Sequence, residues 1–466
     1  MAISSAAKVA TGVAVVGVAW LGLTWFTGRS FEQGYDAQLA EAQKKYPFLK
    51  LTELHKDTGL TGGRYGGKLQ FACGPAAGAQ PLTVAFEHEV QYGPFPGFRH
   101  VGAAHVSTRV SAEPGFKVEG IQSSYGYGGG FDTSWRLPAG AQALPGEQGK
   151  LAWSDMDIAV SGRRDGSQLR YRWAAPEFTM AFAGSTAQPA MGAGSMTMKG
   201  LLVEGESSGS NLWLRPGTQS VAIDHLESHN SGPGGTSVGM VMDKLAIKGG
   251  ATLAQELMDV QGSYTIGKIS VSPGAGQPIE LANMDLQLSL KRLEVAAIEK
   301  AMQQFMDSLG QGCGTAKDPQ ALNAMLMQAV QQFSAAGKTM LLRDPSYSID
   351  KFAVDFGGKR GELSASLAIA GLKQADLDGP PEALSAKVAQ LVSASAKGRV
   401  PLQWLAAGAQ GLPPEQAKEQ AELVAASVVQ RGMAQRDGEF LASSFSFAKG
   451  EAQVNGKTVW QVPPQQ

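Results

Sequence analysis

From Leu51 onward, apolar and polar residues alternate in short runs separated by Gly, Pro, Ser and Asp. Examples are "RYGGKLQFA", "LTVAFEHEVQYG", "AHVSTRVSA", "LRYRWAAPEFTMAFAG", "SMTMKGLLVEGE", "GMVMDKLAIKGG" and "LANMDLQLSLKRLEV". A period of two places every second side chain on one face, the pattern of a strand with one buried side. The runs recur about every 12–20 residues, which predicts a long antiparallel meander over residues 51–298.

Beyond residue 298 the period changes. In "LEVAAIEKAMQQFMDSLG", residues Val295, Ile298, Met302, Phe305, Met306 and Leu309 recur at helical spacing. "ALNAMLMQAVQQFSAAG" continues it with Leu322, Met325, Leu326, Ala329, Val330 and Phe333. "YSIDKFAVDFGGKRGELSASLAIAG" reads as two strands joined at "GGKR", where glycine adopts positive φ at little cost. "PPEALSAKVAQLVSASAKG" and "PPEQAKEQAELVAASVVQRGM" read as helices opened by prolines. "GEFLASSFSFAKGEAQVNGKTV" closes the chain as a hairpin. The expectation is an α+β, predominantly antiparallel β protein: a multi-stranded meander with C-terminal helix pairs packed on the sheet.

The N-terminus has a different texture. "VATGVAVVGVAWLGLTWF", Val9 to Phe26, carries no charge, and at 1.5 Å per residue it is just long enough to cross a hydrocarbon core of roughly 30 Å. Lys8 precedes it, and Trp20, Trp25 and Phe26 sit toward its far end, where aromatic rings favour the membrane interface. A cleaved signal peptide needs a shorter core and small residues at its cleavage site, whereas "LTWFTGRS" is bulky. The expectation is an uncleaved anchor, cytoplasmic N-terminus first. Four regions follow: an anchor over 1–29, a short helical linker over 30–50, a β-rich body over 51–298 and a mixed helix and hairpin region over 299–466.

Composition narrows the function classes. With 40 basic and 41 acidic side chains the formal net charge is −1, so no surplus of cations exists to neutralise a phosphate backbone, and nucleic acid is not an expected partner. Charged residues are only 17% and glycines number 59, which suits many turns between strands. Cys73 and Cys313 could form one disulfide in an oxidising compartment, or stay as two free thiols.

The order of these features resembles the YdgA-like bacterial envelope proteins, a family of unknown function. Three stretches carry the resemblance. The first is the N-terminal apolar run followed by "LTELHKDTGLTGGRYGGKLQF". The second is "VQYGPFPG", similar to a family turn in which Tyr92 stands where His is usual. The third is "LVAASVVQRGMAQRDGEFLASSFSFAKGEAQVNGKTV". The resemblance implies a single-pass inner-membrane protein with a periplasmic β-rich body, and brings no catalytic residues with it. Extended envelope proteins of similar texture carry lipids along an apolar groove, an analogy of architecture only.

Candidate chemistry is sparse. "VAIDHLESHNSG" places His225, Glu227 and His229 within five residues. The zinc-protease pattern needs its glutamate directly after the first histidine on a helix, and here it comes one residue later in an alternating run. In a strand the trio shares a face and could hold a transition metal, but the same parity adds Val221 and Ile223, so a ladder running from core to rim is the default. His88, between Glu87 and Glu89, points away from both. His100 and His105 fall on different faces or elements. "GYGGGFD" lacks the lysine and helix of a phosphate cradle and reads as a hairpin turn. Asp155 and Asp157 share a face that is solvated by default. No catalytic, metal or cofactor set stands out. The favoured reading is therefore a non-enzymatic envelope protein in the inner membrane, its bulk periplasmic, binding a lipid or an envelope partner. A closed-core scaffold is the alternative, and a metal-dependent hydrolase built on His225, Glu227 and His229 is a third. Whether the apolar sheet face is open decides between the first two.

Overall fold

The computed structural model describes residues 5–46, 49–71, 83–112, 116–143, 149–182, 193–209, 214–231, 237–274, 278–313, 327, 339–408 and 413–461. The strands among them form one 22-stranded sheet. β1 (Leu49–Thr58), β2 (Gly62–Phe71), β3 (Thr83–Tyr92), β4 (Ala104–Ala112), β5 (Phe116–Tyr125) and β6 (Gly130–Leu137) pair antiparallel in chain order. The short β7 (Gly140–Ala143) and β8 (Gly149–Trp153) form a side hairpin, so β6 pairs directly with β9 (Met156–Arg163). β10 (Gln168–Phe182) takes β9 along its first half and β8 along its second. From there β11 (Gly194–Ser208), β12 (Gly217–Ser231), β13 (Ser237–Ala254), β14 (Leu257–Pro273), β15 (Ile279–Glu294), β16 (Ser346–Phe356), β17 (Lys359–Ile369) and β18 (Val392–Pro401) follow in order. β20 (Phe440–Ala448) joins β18, and its far edge carries β19 (Gln435–Asp437) and then β21 (Glu451–Val454), which pairs with β22 (Lys457–Gln461).

The meander is as expected from the alternation, but it does not stop near residue 298. β15 pairs with β16 across an intervening helix, so the body and the C-terminal region share one sheet. "SASAKG", expected as the end of a helix, lies in β18 instead. Burial alternates along β18 as far as Arg399, and the strand fills the gap between β17 and β20. The β16–β17 turn is made by Gly357 and Gly358, both at positive φ, as expected.

Helix α1 (Ser5–Lys45) runs unbroken through the expected boundary between anchor and linker. Among the described residues no helix is long and apolar enough to cross a membrane, and the side chains of residues 5–19, most of the expected span, lie outside the description. The C-terminal part of α1 lies on β2–β5. Phe31 and Tyr35 pack on a cluster of Tyr65, Val90, Tyr92, Ala104 and Val106, each at most 4% exposed. Gly28 permits this approach, because a Cβ there would lie 2.8 Å from the Tyr92 ring. The Tyr65 and Tyr92 hydroxyls share a 2.6 Å hydrogen bond inside the cluster.

The remaining helices sit at the margins. α2 (Val295–Cys313) buries Val295, Ala301 and Met306 and meets β15. α3 (Gln374–Leu377) and α4 (Pro381–Leu391) bridge β17 and β18. In α5 (Leu402–Gly408), the Trp404 indole donates to the Phe356 carbonyl at 3.1 Å and rests over Gly361. α6 (Pro414–Gln430) buries Ala417, Ala421 and Ala425, a four-residue spacing that lets it pack closely against α5. The helix expected over residues 322–333 lies outside the described residues, as do Cys73 and the side chain of Cys313.

In β10 to β16 the apolar alternation changes phase once per strand: Trp173 and Ala175 give way to Phe178, Met196 and Met198 to Leu201 and Val203, Val221 and Ile223 to Leu226. Met240 and Met242 likewise give way to Leu245 and Ile247, Tyr264 and Ile266 to Ile269, and Leu281 to Met284. The changes line up across the sheet. At this line Gly200, Lys244 and Asn283, on alternate strands, hold left-handed φ values of 68°, 55° and 48°. Cross-strand pairing lapses there, between Ala175 and Glu177, Ile223 and His225, and Asp243 and Ala246. A left-handed residue turns the strand and resets which side chains face inward. Residues from both sides of the crease, Phe178 and Met198 as well as Val203, Val221 and Ile223, pack on the same buried cluster of Met156, Ala175 and Leu201. The apolar side therefore stays on one face.

Candidate functional site

Cross-strand register builds long apolar rows on that face. One runs through Trp135, Ile158, Trp173, Val203, Val221, Ile247, Tyr264, Leu286, Phe352 and Leu363, each paired with the next. At about 4.8 Å between strands it is roughly 40 Å long. A second, beyond the crease, runs through Trp153, Phe178, Met198, Leu226, Met242, Ile269, Leu281 and Phe356. No residue of either row is fully buried, and Trp173 and Leu363 are each 39% exposed. In a closed sandwich the inner residues of central strands would be covered by the opposing layer. Among the described residues, helices meet the band only toward its β15–β17 end, where α2 lies on β15 and Trp404 on Phe356, and none is seen to pack on β10–β14.

The opposite face is polar. A row through Arg172, Glu204, Ser220, Lys248, Ser263, Gln287 and Lys351 runs parallel to the first apolar row. Its charges pair locally, Arg172 with Glu204 at 3.1 Å and Lys351 with Asp285 at 2.6 Å. A groove of about 660 Å³ is lined by Asp350, Lys351, Glu362, Lys397 and Arg399. Hydrogen bonds from Ser289, first, and Ser348 hold the Asp350 carboxyl below the usual carboxylate range, and Arg399 is paired with Asp437 at 2.9 Å.

His225, Glu227 and His229 lie on this polar face. The expected sharing of a face with Val221 and Ile223 is wrong, because the crease at Asp224 intervenes and Leu226 continues the apolar side. The structure does bring the three together. His229 Nε2 stands 2.8 Å from one Glu227 oxygen and His225 Nε2 3.7 Å from the other. His225 Nδ1 meets Asp243, its cross-strand partner, at 2.7 Å. His229, above all, holds the Glu227 carboxyl below its ordinary range. The groups thus satisfy one another in a chain along the surface instead of converging on one point. Among the described residues, no group of three or more His, Cys, Asp or Glu is placed to hold a metal ion.

The other singled-out residues have structural surroundings. His88 Nδ1 contacts the Thr108 hydroxyl at 2.7 Å, its ring lies beside Tyr35 and Phe86, and burial pushes its pKa down to about 4. His100 and His105 lie on different elements, one of the two expected placements, and stack at 4.1 Å because the β3–β4 loop folds back on β4. Burial, then the His100 charge, lowers the pKa of His105. Asp155 accepts from the Ala139 amide at 2.7 Å and from Arg136 at 2.8 Å, which fixes the β6–β7 corner. "GYGGGFD" is the β5–β6 turn, closed by the Gly126 amide on the Gly130 carbonyl. The signal that would have found the apolar rows is the phase change itself, recurring at matched positions in successive strands.

Comparison with known proteins gives a family and no activity. The family described as "Bacterial protein of unknown function (DUF945)" matches residues 6–460. The chain is 22% identical to Protein YdgA of Escherichia coli (strain K12) over 493 residues, covering 96% of this chain and 94% of that one. No solved structure matches it.

Proposed function

From the premise that this chain belongs to that bacterial family of unknown function, we propose a non-enzymatic envelope protein that binds a hydrophobic ligand, a lipid, or an envelope partner along its apolar band. In this reading residues 9–26 anchor it in the inner membrane, the N-terminus is cytoplasmic, and the bulk of the chain is periplasmic. The observation that carries it is the pair of apolar rows, continuous across the sheet and nowhere fully covered. A face of this kind is costly in water, at about 25 cal/mol per Å² of apolar surface, and an acyl chain laid on it would recover about 0.8 kcal/mol per buried methylene. The uncharged run from Val9 to Phe26 and the resemblance to envelope proteins support the location. The favoured ligand is an acyl chain, because the rows present mostly methyl, thioether and ring surface, with the Tyr264 hydroxyl and the indole N–H groups of Trp135, Trp153 and Trp173 as the polar groups in line.

The test uses the full chain, purified in detergent, with a photo-reactive residue at Val221, Leu226 or Met242. Cross-linking from these positions to co-purified or added phospholipid, and none from Ser220 on the polar face, is the expected result. Equal labelling from both faces, or none in repeated preparations, would sink the lipid reading.

A further inference from the structure

The loop between β3 and β4, residues 93–102, lies along α1 rather than across the sheet. The Thr27 hydroxyl donates to the Gly93 carbonyl at 3.3 Å, and Thr24 and Thr27 are 0% and 5% exposed. Seven residues earlier on the same helix, the Trp20 ring stacks on Phe98 at 5.4 Å. Seven residues of helix are roughly 10 Å, so the loop descends by about that distance from Gly93 to Phe98, toward the N-terminal end of α1. Trp20 belongs to the uncharged run that ends at Phe26.

The outer side of the loop is apolar and bare. Phe95, Phe98 and Val101 are 48%, 80% and 82% exposed, and Trp25 and Phe26, on other sides of α1, are 53% and 64% exposed. The loop satisfies much of its own backbone, with the Phe98 amide on the Phe95 carbonyl, Arg99 on Pro96, and Gly102 on Pro94. That lowers the cost of a less aqueous environment. Residues 93–103 contain no acid, while Arg99 lies in the loop and the Arg29 guanidinium sits over the Trp25 ring at 4.9 Å. Aromatic rings with flanking arginines suit the boundary between headgroups and acyl chains.

We propose that this loop inserts into the periplasmic leaflet beside the anchor and so sets the height and tilt of the β body on the bilayer. The occupant is the lipid surface itself, because Phe98 is stacked on Trp20, a residue of the uncharged run, and is itself 80% exposed. The proposal rests on the anchor reading of residues 9–26.

Spin-label depth measurement on the full chain tests it. Nitroxides are placed one at a time at Phe98→Cys, Phe95→Cys, Val15→Cys and Ser207→Cys, on a background of Cys73→Ser and Cys313→Ser. The protein is held in nanodiscs of phosphatidylethanolamine and phosphatidylglycerol. The expected result is oxygen accessibility at 95 and 98 approaching that at 15, with a water-soluble nickel complex reaching only 207. Lipid at 15 but water at 95 and 98 would overturn the loop insertion and leave the anchor standing. Water at all four would overturn both.

Discussion

The α1 junction and the apolar band are built from the same alternating strands, yet they end in opposite states. At the junction Tyr65 and Tyr92 are 1% and 4% exposed, whereas in the band Trp173 and Leu363 are each 39% exposed. The difference is the cover. α1 brings Phe31 and Tyr35 down onto β2–β5, with Gly28 clearing the way. No described helix does this for β10–β14. Period two therefore dictates one apolar side per strand, and a second element decides whether that side becomes a core or a surface.

The largest effect should separate the two regions directly. Tyr92→Ala removes a buried ring and strands the Tyr65 hydroxyl, so it is expected to cost about 3–5 kcal/mol. Trp173→Ala, at a half-exposed position, is expected to cost about 1 kcal/mol. Hydrogen exchange during denaturant unfolding, followed in β2–β4 and in β9–β11, reads each region separately. Comparable losses would mean that the band is covered after all.

Acid sharpens the same contrast, because the junction holds a buried histidine. The folded His88 ring titrates at about 4, against 6.5 when exposed. Between these values the unfolded chain takes up a proton that the folded chain refuses. Stability is therefore complete above pH 6.5 and falls as the pH drops toward 4, by up to about 3 kcal/mol. His88→Gln should flatten that acid limb in β2–β4 and leave the band unchanged. A limb of unchanged depth would assign it to other groups. On the alkaline side the sign reverses. Burial, with Asp36 adding to it, raises Tyr35 to about 12, so the unfolded chain ionises first above pH 10 and the junction loosens as pH rises further.

The crease supplies a smaller and more local test. Gly200 holds φ 68°, and a Cβ there would meet the Asp224 carboxylate. Gly200→Val should loosen β10–β12 by about 1–2 kcal/mol, the cost of a left-handed backbone for a branched residue. Lys244 pays part of that cost already at φ 55°, so Lys244→Gly should be neutral or stabilising by up to about 1 kcal/mol. Faster exchange confined to the strands on either side of the line would identify it as the site of the phase change. Loss of the whole sheet would mean that the crease is needed for folding itself.

Much of this fold was legible in the alternation: the strands, their antiparallel pairing, the 357–358 turn and the helix opened by Pro413 and Pro414. What was not legible came from information that lies between strands. The stretch "SASAKG" reads as helix on its own because Ala and Lys favour helix, yet the vacancy between β17 and β20 makes it a strand. The unity of α1 was hidden because its two halves differ in composition, not in conformation. The crease was hidden because a single phase change in one strand looks like noise. Only the alignment of Gly200, Lys244 and Asn283 across partners gives it meaning.

That alignment also sets the smallest expected effect. Read within one strand, His225, Glu227 and His229 share parity with Val221 and Ile223 and hint at a site that faces inward. Read across the crease, they belong to the polar face, where Asp243 already engages His225 and both histidines engage Glu227. Their side chains are 32–55% exposed, so water and salt screen whatever the charges gain from one another. Glu227→Gln should therefore leave the melting temperature of the full chain unchanged, with or without a chelator, and elemental analysis should find no stoichiometric transition metal in either protein. A metal lost on that substitution would restore the trio as a site. It would also require the His225 ring to leave Asp243, which a shift in the His225 imidazole resonances would report.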